Sequence, residues 1–241
     1  MPGLPGSNIF ASMDASIPYK LNENTYWLSH ERSLFWEEQN ALIVSDLHFG
    51  KTGHFRKAGI AIPQNVFKDD LQRLLSLLMH FKPEILIIVG DMFHSDANKE
   101  LELFQKWRYD LGDLQVHLVK GNHDILPAVW YNQSFITVHN ERLELKNISF
   151  IHDCNKIKEQ TADQYYFCGH IHPGICIKGL AKQALTLPCF YFGKDYAVLP
   201  AFSHFTGLAL IHPKENETVF AIVDKKIIQV SGRMLNVEFL G

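Results

Sequence analysis

Five places in the chain set aspartate, asparagine or histidine directly after a short apolar run. They are Asp46-Leu47-His48, Gly90-Asp91, Gly121-Asn122-His123-Asp124, His152 and Gly169-His170-Ile171-His172. Asp46 and His48 are two residues apart, as are His170 and His172, and in extended chain that spacing puts both side chains on one face. The candidate metal ligands are Asp46, His48, Asp91, Asn122, His152, His170 and His172. One catalytic zinc takes about three protein ligands and keeps a place for water. Seven ligands exceed one ion and fit two divalent ions about 3.5–4 Å apart with a shared carboxylate. Asp91, central and with two oxygens, is the candidate bridge. The set is nitrogen and oxygen without thiolate, which suits manganese, iron, zinc or cobalt, and ligand type does not say which of them is loaded. Gly90, Gly121 and Gly169 precede the ligands and allow tight turns and close backbone approach.

Any one of these segments alone is an ordinary capped turn; their joint placement is what carries chemistry. Ala41–Ser45, Ile85–Val89, Val116–Val119, Ile148–Ile151 and Tyr165–Cys168 each read as a buried strand. In open α/β sheets, ligands gather outside the carboxyl ends of the strands, so ends distant in sequence can share a site. Helical spacing of Val66, Phe67, Leu71, Leu74, Leu75, Leu78 and Phe81, with Pro63 at the start and Pro83 at the end, predicts one helix. A second runs from about Lys99 to Leu111. Tyr26–Leu28 with Leu34–Trp36, and Leu143–Leu145 with Ile148–Ile151, read as hairpins. The late half is strand text: Ala184–Phe192, Tyr196–Phe202, Leu208–Ile211, Val219–Val223 and Ile227–Val230. The expected fold class is α/β, a two-sheet β-sandwich flanked by helices. Residues 14–241 read as a single domain, and residues 1–13 as an unstructured or vector-derived leader with Met13 a candidate start.

Composition bounds the function. A chain of 241 residues buries roughly 70–75% of its unfolded surface, enough to fold without a disulfide or structural metal. A net charge of −3 excludes a strongly cationic nucleic-acid binder but not a local basic patch. Cys154, Cys168, Cys176 and Cys189 form no C-x-x-C pair and are expected to be reduced thiols, mostly buried. No apolar run reaches the ~18–20 residues that span a membrane, and no secretory signal opens the chain. The expected compartment is the cytoplasm. Of the 13 histidines, His30, His80, His117, His139 and His212 read as surface or packing positions, while His54, His94 and His204 are left without a role.

The ordered motifs Asp46-x-His48, Gly90-Asp91, Gly121-Asn122-His123-Asp124, His152 and Gly169-His170-x-His172 resemble the signature of calcineurin-like metallophosphoesterases, over about residues 41–173. The resemblance implies a four-layer sandwich with two metals. One would be held by Asp46, His48, Asp91 and His172, the other by Asp91, Asn122, His152 and His170. It makes His123 the catalytic histidine, with Asp124 orienting it. Ser45 through Lys51, Phe55-Arg56, Gly59 through Pro63, Gly90 through Ser95 and Leu199-Pro200-Ala201-Phe202 resemble, more narrowly, the bacterial DNA ligase-associated subfamily, described as DNA damage response endonucleases. Many relatives carry Gly where this chain has Asp153, and an acidic residue there fits the narrower group. Ser203 through Leu208 holds less glycine than that group leads one to expect.

The chemistry so implied is phosphodiester hydrolysis, a nuclease linked to DNA repair, with a repair ligase or helicase as the partner the subfamily name suggests. His123 would assist departure of the alkoxide. Arg56, with Lys51 and His54, follows the first motif closely and could hold a substrate phosphate, a task that suits the arginine fork. Rival functions are hydrolysis of a small phosphoanhydride or nucleotide, which the acidic net charge favours, and a non-catalytic scaffold, which a complete ligand set disfavours. Native substrate, strand preference and oligomeric state are written in no motif.

Overall fold

The computed structural model describes residues 16–50, 66–93, 98–157, 163–178 and 184–230. Unbroken apolar runs need cover on both faces, and β4 (Ala41–Ser45) and β5 (Ile85–Val89) have it: they lie side by side in parallel, almost wholly buried. β6 (Gln115–Val119) and β7 (Ile136–His139) continue the parallel set. The meander β1 (Ile17–Leu21), β2 (Asn24–Ser29) and β3 (Ser33–Trp36) joins the other edge, giving a seven-stranded sheet in the order β1-β2-β3-β4-β5-β6-β7.

The second sheet is mixed. The hairpin β8 (Arg142–Leu145) and β9 (Ile148–Ile151) leads to β10 (Tyr165–Cys168), which runs parallel to β9 and to β13 (Tyr196–Val198). β12 (Ala184–Phe192) links β13 to β11 (Pro173–Lys178), which pairs with β14 (Ala209–Leu210). β15 (Thr218–Val223) and β16 (Lys226–Val230) extend from β12.

The sheets face each other across an aromatic-rich core that includes Tyr26, Trp36, Phe150, Phe167, Phe190 and Phe220. α1 (Val66–Phe81), α2 (Asn98–Tyr109) and α3 (Ala128–Gln133) pack on the other face of the first sheet, where Leu74, Leu77, Phe104 and Tyr131 meet Leu42, Ile88 and Leu118. The two-sheet α/β sandwich read from the sequence is therefore the observed architecture, and among the described residues all three helices cover the first sheet.

Register does the positioning. Ser45, Val89, Val119 and His139 are consecutive partners across the first sheet, so the segments after β4, β5 and β6 leave along one line. Ile151, Cys168 and Val198 are partners in the second. The strand expected over Tyr196–Phe202 stops at Val198 because the chain then crosses to the first sheet, where Ala201 bridges Ser45. The second helix ends at Tyr109 and gives way to turns around Gly112, whose φ of 53° suits glycine. β1, β7, α3 and β11 had no counterpart in the sequence reading. The leader 1–13, the proposed phosphate-binding Lys51, His54 and Arg56, and His94 lie outside the described residues.

One expectation is overturned. Cys154 and Cys168 are joined in a disulfide, while Cys176 and Cys189 are free. After β9 a single 3-10 turn, Cys154–Lys156, folds the chain back, and the Asp153 side chain accepts from the Asn155 amide to hold it. That return brings the two Cα atoms to 5.7 Å, inside the range a disulfide bridges. Spacing along the chain holds no sign of this, because the contact depends on the turn.

Candidate metal centre

All seven candidate ligands of the sequence reading come together at the carboxyl ends of β4, β5, β6, β9 and β10. Asp46, His48 and His172 form one group and Asp91, His152 and His170 another, with the ligand atoms of each group within 4.8 Å of one another. In the first, Nε2 of His48 and Nε2 of His172 lie 3.1 Å apart, and Nε2 of His172 is 3.6 Å from Oδ1 of Asp46. In the second, Nε2 of His152 is 3.1 Å from Nδ1 of His170, 3.1 Å from Oδ1 of Asn122 and 3.5 Å from Oδ2 of Asp91. Asn122 thus joins the group the sequence reading assigned it to. The groups are contiguous: Nδ1 of His152 lies 3.9 Å from Oδ1 of Asp46.

The backbone at these positions is not the extended chain expected for the Asp46/His48 and His170/His172 pairs. Asp46, His48, Asp91, His170 and His172 all have positive φ, between 47° and 71°. Each such residue costs on the order of 1 kcal/mol or more. Aspartate and histidine enter this region more readily than bulky residues do. The main chain bends there so that successive side chains turn inward, while backbone bonds lock the bends: Asp46 N donates to Gly90 O, His48 N to Asp91 O and Phe49 N to Met92 O, at 2.9–3.2 Å.

Close approach requires the glycines. A Cβ on Gly90 would collide with the His152 ring, one on Gly121 with Asp91, and one on Gly169 with the Asp46 carboxylate. The Gly-Asp, Gly-Asn-His-Asp and Gly-His motifs are therefore a packing solution, in which one residue gives up its side chain so that a ligand can occupy the volume.

Further contacts aim the ligands. Oδ2 of Asp46 accepts from Ser45 Oγ at 2.8 Å and from the His170 amide at 3.0 Å. Oδ1 of Asp91 accepts from the His123 amide at 3.0 Å. Nδ1 of His172 faces the Gly207 carbonyl at 3.2 Å and Nδ1 of His152 faces that of Val89 at 3.4 Å. A proton on each Nδ1, donated to the carbonyl, leaves Nε2 as a lone-pair donor, the usual arrangement of a metal-binding histidine. Asp46, Asp91, His48 and His152 are all buried. Two buried carboxylates facing four imidazoles are costly unless paired or metal-bound. Burial pushes the Asp91 carboxyl up, but the bond and charge of His152, the His123 amide and the charge of His48 outweigh it and hold it well below the usual range. Burial lowers His152, and Asp91 and Asp46 more than restore it. A set of O and N donors this close, oriented by backbone carbonyls and free of thiolate, fits divalent cations.

His123 stands beside the first group, its ring centroid 5.8 Å from that of His48. Asp124 is buried, and its carboxylate binds main chain: Oδ1 accepts from Met92 N and Phe93 N at 2.9 and 3.2 Å, Oδ2 from Gly121 N at 2.9 Å. It ties the turn that carries Asn122 and His123 to the segment after Asp91.

The sequence reading missed what lies behind the centre. Arg73 of α1 donates to Glu31 and Asp70, each at 2.7 Å, and to the Phe202 carbonyl at 3.1 Å, while its guanidinium lies 4.3 Å from the Phe202 ring centroid. Arg32 donates to the carbonyls of Ala201 and Ser203. These two arginines fix the segment whose Phe202 and Ser203 amides donate to the carbonyls of Ser45 and Asp46. The partners are as much as 171 residues apart, so no local pattern marks them. His204, without a role in the sequence reading, belongs to this loop; burial and the two arginines lower its pKa to about 4.

The profile of the calcineurin-like phosphoesterases matches residues 40–186. No curated protein matches the sequence. Among solved structures, the Pseudomonas putida nuclease MPE superimposes with a TM-score of 0.75 at 27% identity, over 89% of this chain and 100% of that one. The phosphoesterase Yfce from E. coli has a TM-score of 0.44 at 14% identity, over 81% of this chain and 99% of that one.

Proposed function

The chain belongs to the calcineurin-like phosphoesterase family and is a metal-dependent hydrolase; from that premise we propose that it is a two-metal phosphodiesterase whose substrate is nucleic acid, acting as a nuclease in DNA repair. The observation that carries the two-metal part is the contiguity of the Asp46/His48/His172 and Asp91/His152/His170 groups. The first ion would be held by Asp46, His48, Asp91 and His172 and the second by Asp91, Asn122, His152 and His170, Asp91 being common to both sets. Manganese is the preferred ion and iron, zinc or cobalt the alternatives. Two such ions, when bound, supply charge neutralisation at the phosphoryl oxygens and a water acidic enough to ionise near neutral pH.

The chain's own residues do the rest. Strand-end register and the inverted backbone angles hold the donors in place before substrate arrives, so little reorganisation is needed at reaction. His123, close to the first group, donates a proton to the departing alkoxide, a contribution typically worth ~10²–10⁴-fold. Asp124 positions His123 by anchoring its turn. Lys51, His54 and Arg56 hold a flanking phosphate.

The nucleic-acid reading rests on the similarity to the Pseudomonas putida nuclease along most of the chain. Exposed apolar side chains in the neighbouring segments support it too: Ile171 lies between His170 and His172, Ile125 follows Asp124, and Phe205 lies two residues before Gly207, whose carbonyl faces His172; they are 38%, 71% and 39% exposed, and the Phe205 ring is one on which a base can stack. A cytoplasmic location and a repair ligase or helicase partner belong to the same proposal. No helix among the described residues is long and apolar enough to cross a membrane.

A substrate panel with manganese tests it: bis-p-nitrophenyl phosphate, single-stranded DNA, duplex DNA, a cyclic dinucleotide and a nucleotide sugar. Hydrolysis of DNA above the small phosphoanhydrides is the expected result. Turnover of the nucleotide sugar alone would replace the nuclease by the rival hydrolase, and no turnover of any substrate by manganese-loaded protein would leave a scaffold.

A further inference from the structure

The disulfide stands in a telling place. Cys154 comes two residues after His152 and Cys168 two residues before His170. Those histidines are partners in the second ligand group, with ring nitrogens 3.1 Å apart. Between cysteine and histidine on each side there is only one residue, Asp153 or Gly169, and the Gly169 amide donates to the His152 carbonyl at 3.0 Å. The disulfide therefore ties together the two short segments that aim two ligands of one metal.

Access to the two sulfurs differs. Cys168 is fully buried, whereas Cys154 is partly exposed and lines a cavity of about 320 Å³ shared with Ile171, Tyr196, His212 and Lys214. A small thiol or peroxide can reach Cys154 from that cavity. Of the other cysteines, Cys189 is buried, its thiol pushed up to about 12 by burial, so it is inert.

We propose that Cys154 and Cys168 form a reversible redox site that sets how tightly the Asp91/His152/His170 group holds its metal. In reduction, a small-molecule thiolate attacks Sγ of Cys154 and the disulfide bond breaks. Cys168 leaves as a thiolate that takes up a proton, and a second thiol resolves the mixed disulfide. In total one disulfide and two thiols become two protein thiols and one small disulfide. In oxidation, the two thiols and a peroxide give the disulfide and two waters (for hydrogen peroxide). With the bond closed, the turn after His152 is pinned to β10 and the ligand pair is preorganised. With it open, the turn at Cys154–Lys156 keeps the Asp153 cap, its backbone bonds and the packing of Cys154 and Ile157 against Ile151 and Tyr166, but no covalent tie to β10. Losing groups that orient metal ligands costs typically 10–100-fold in affinity.

The test compares full-length protein treated with hydrogen peroxide and with tris(2-carboxyethyl)phosphine. Free thiols are counted by alkylation and mass spectrometry, and manganese binding is titrated by electron paramagnetic resonance. We expect two fewer thiols in the oxidised sample, and one of two manganese sites weakened about tenfold or more on reduction. Cys154→Ser should show the weakened site in both treatments. If that variant does not fold, reduced wild type with an unchanged circular dichroism spectrum decides alone. Two sites of equal affinity in both redox states, or no loss of thiols on oxidation, would overturn the redox site while leaving the two-metal centre standing. No manganese uptake in either state would overturn both.

Discussion

Gly90 and His152 compete for one volume: the imidazole of His152 occupies the space that a side chain at position 90 would fill. Gly90 also has φ of 79°, a backbone conformation that L side chains rarely adopt. Substitution there is thus opposed twice, once by strain and once by collision with a ligand. Gly90→Ala should cost more than the about 1 kcal/mol of an ordinary strained glycine site and should dislodge His152. The expected readout is loss of one bound manganese with the other retained, counted by elemental analysis after gel filtration. A variant that keeps two ions would refute the shared-volume account.

The two ligand groups should separate by mutation. Loss of His172 strikes the first group, loss of Asn122 the second, and loss of Asp91, the proposed bridge, both. His172→Ala and Asn122→Ala are expected to bind one manganese each, and Asp91→Asn to bind none at micromolar metal. Isothermal titration of the three variants against wild type reads the stoichiometry. An Asp91→Asn protein that still takes up two ions would remove the bridge from the mechanism.

His123 lies beside the centre without belonging to either ligand group. His123→Ala should therefore keep its metal content while losing ~10²–10⁴-fold in kcat on DNA. The loss should shrink on bis-p-nitrophenyl phosphate, because a nitrophenolate leaves without protonation. Equal losses on both substrates would point away from proton donation.

The network behind the centre predicts an acid-stability pattern. The bond from His30, working against burial and aided by Arg73, lowers the Glu31 carboxyl from 4.5 to about 2. A depressed carboxylate contributes stability above its unfolded value and loses it as pH falls, here between about 4.5 and 2. Asp70 is opposite: burial outweighs Arg73 and raises it from 3.8 to about 6, so its contribution is present below 3.8 and is lost as pH rises through 6. Glu31→Gln should flatten the acid limb by on the order of 3 kcal/mol, and Asp70→Asn should flatten the fall between about pH 4 and 6. Urea midpoints from pH 2.5 to 7 in metal-free buffer measure both.

Much of the site was written in the chain because its physics is local. An apolar pentapeptide covered on both faces reads as a buried strand, and the residues after it carry their own chemistry, so the donors Asp46, His48, Asp91, Asn122, His152, His170 and His172 and the glycines among them could be named in advance. Val89 partners both Ser45 and Val119, which is why strand ends far apart in sequence deliver their side chains to one line. The short elements were less legible. β7 and α3 are too brief for periodicity to stand out, and β11 contains Pro173 and Gly174, which blur a strand signal.

The sequence by itself determined which residues offer metal-binding donors, and that the carboxyl ends of buried strands would bring them together, because residue type and hydrophobic pattern act over a few neighbours. Tertiary structure alone decided which ligand each preceding glycine makes room for. It also set Arg73 and Arg32 behind the Phe202 loop and Cys154 over Cys168. Those facts depend on which volumes coincide once the chain has turned. Coincidence of volume arises between residues tens to hundreds of positions apart, where no spacing rule reaches.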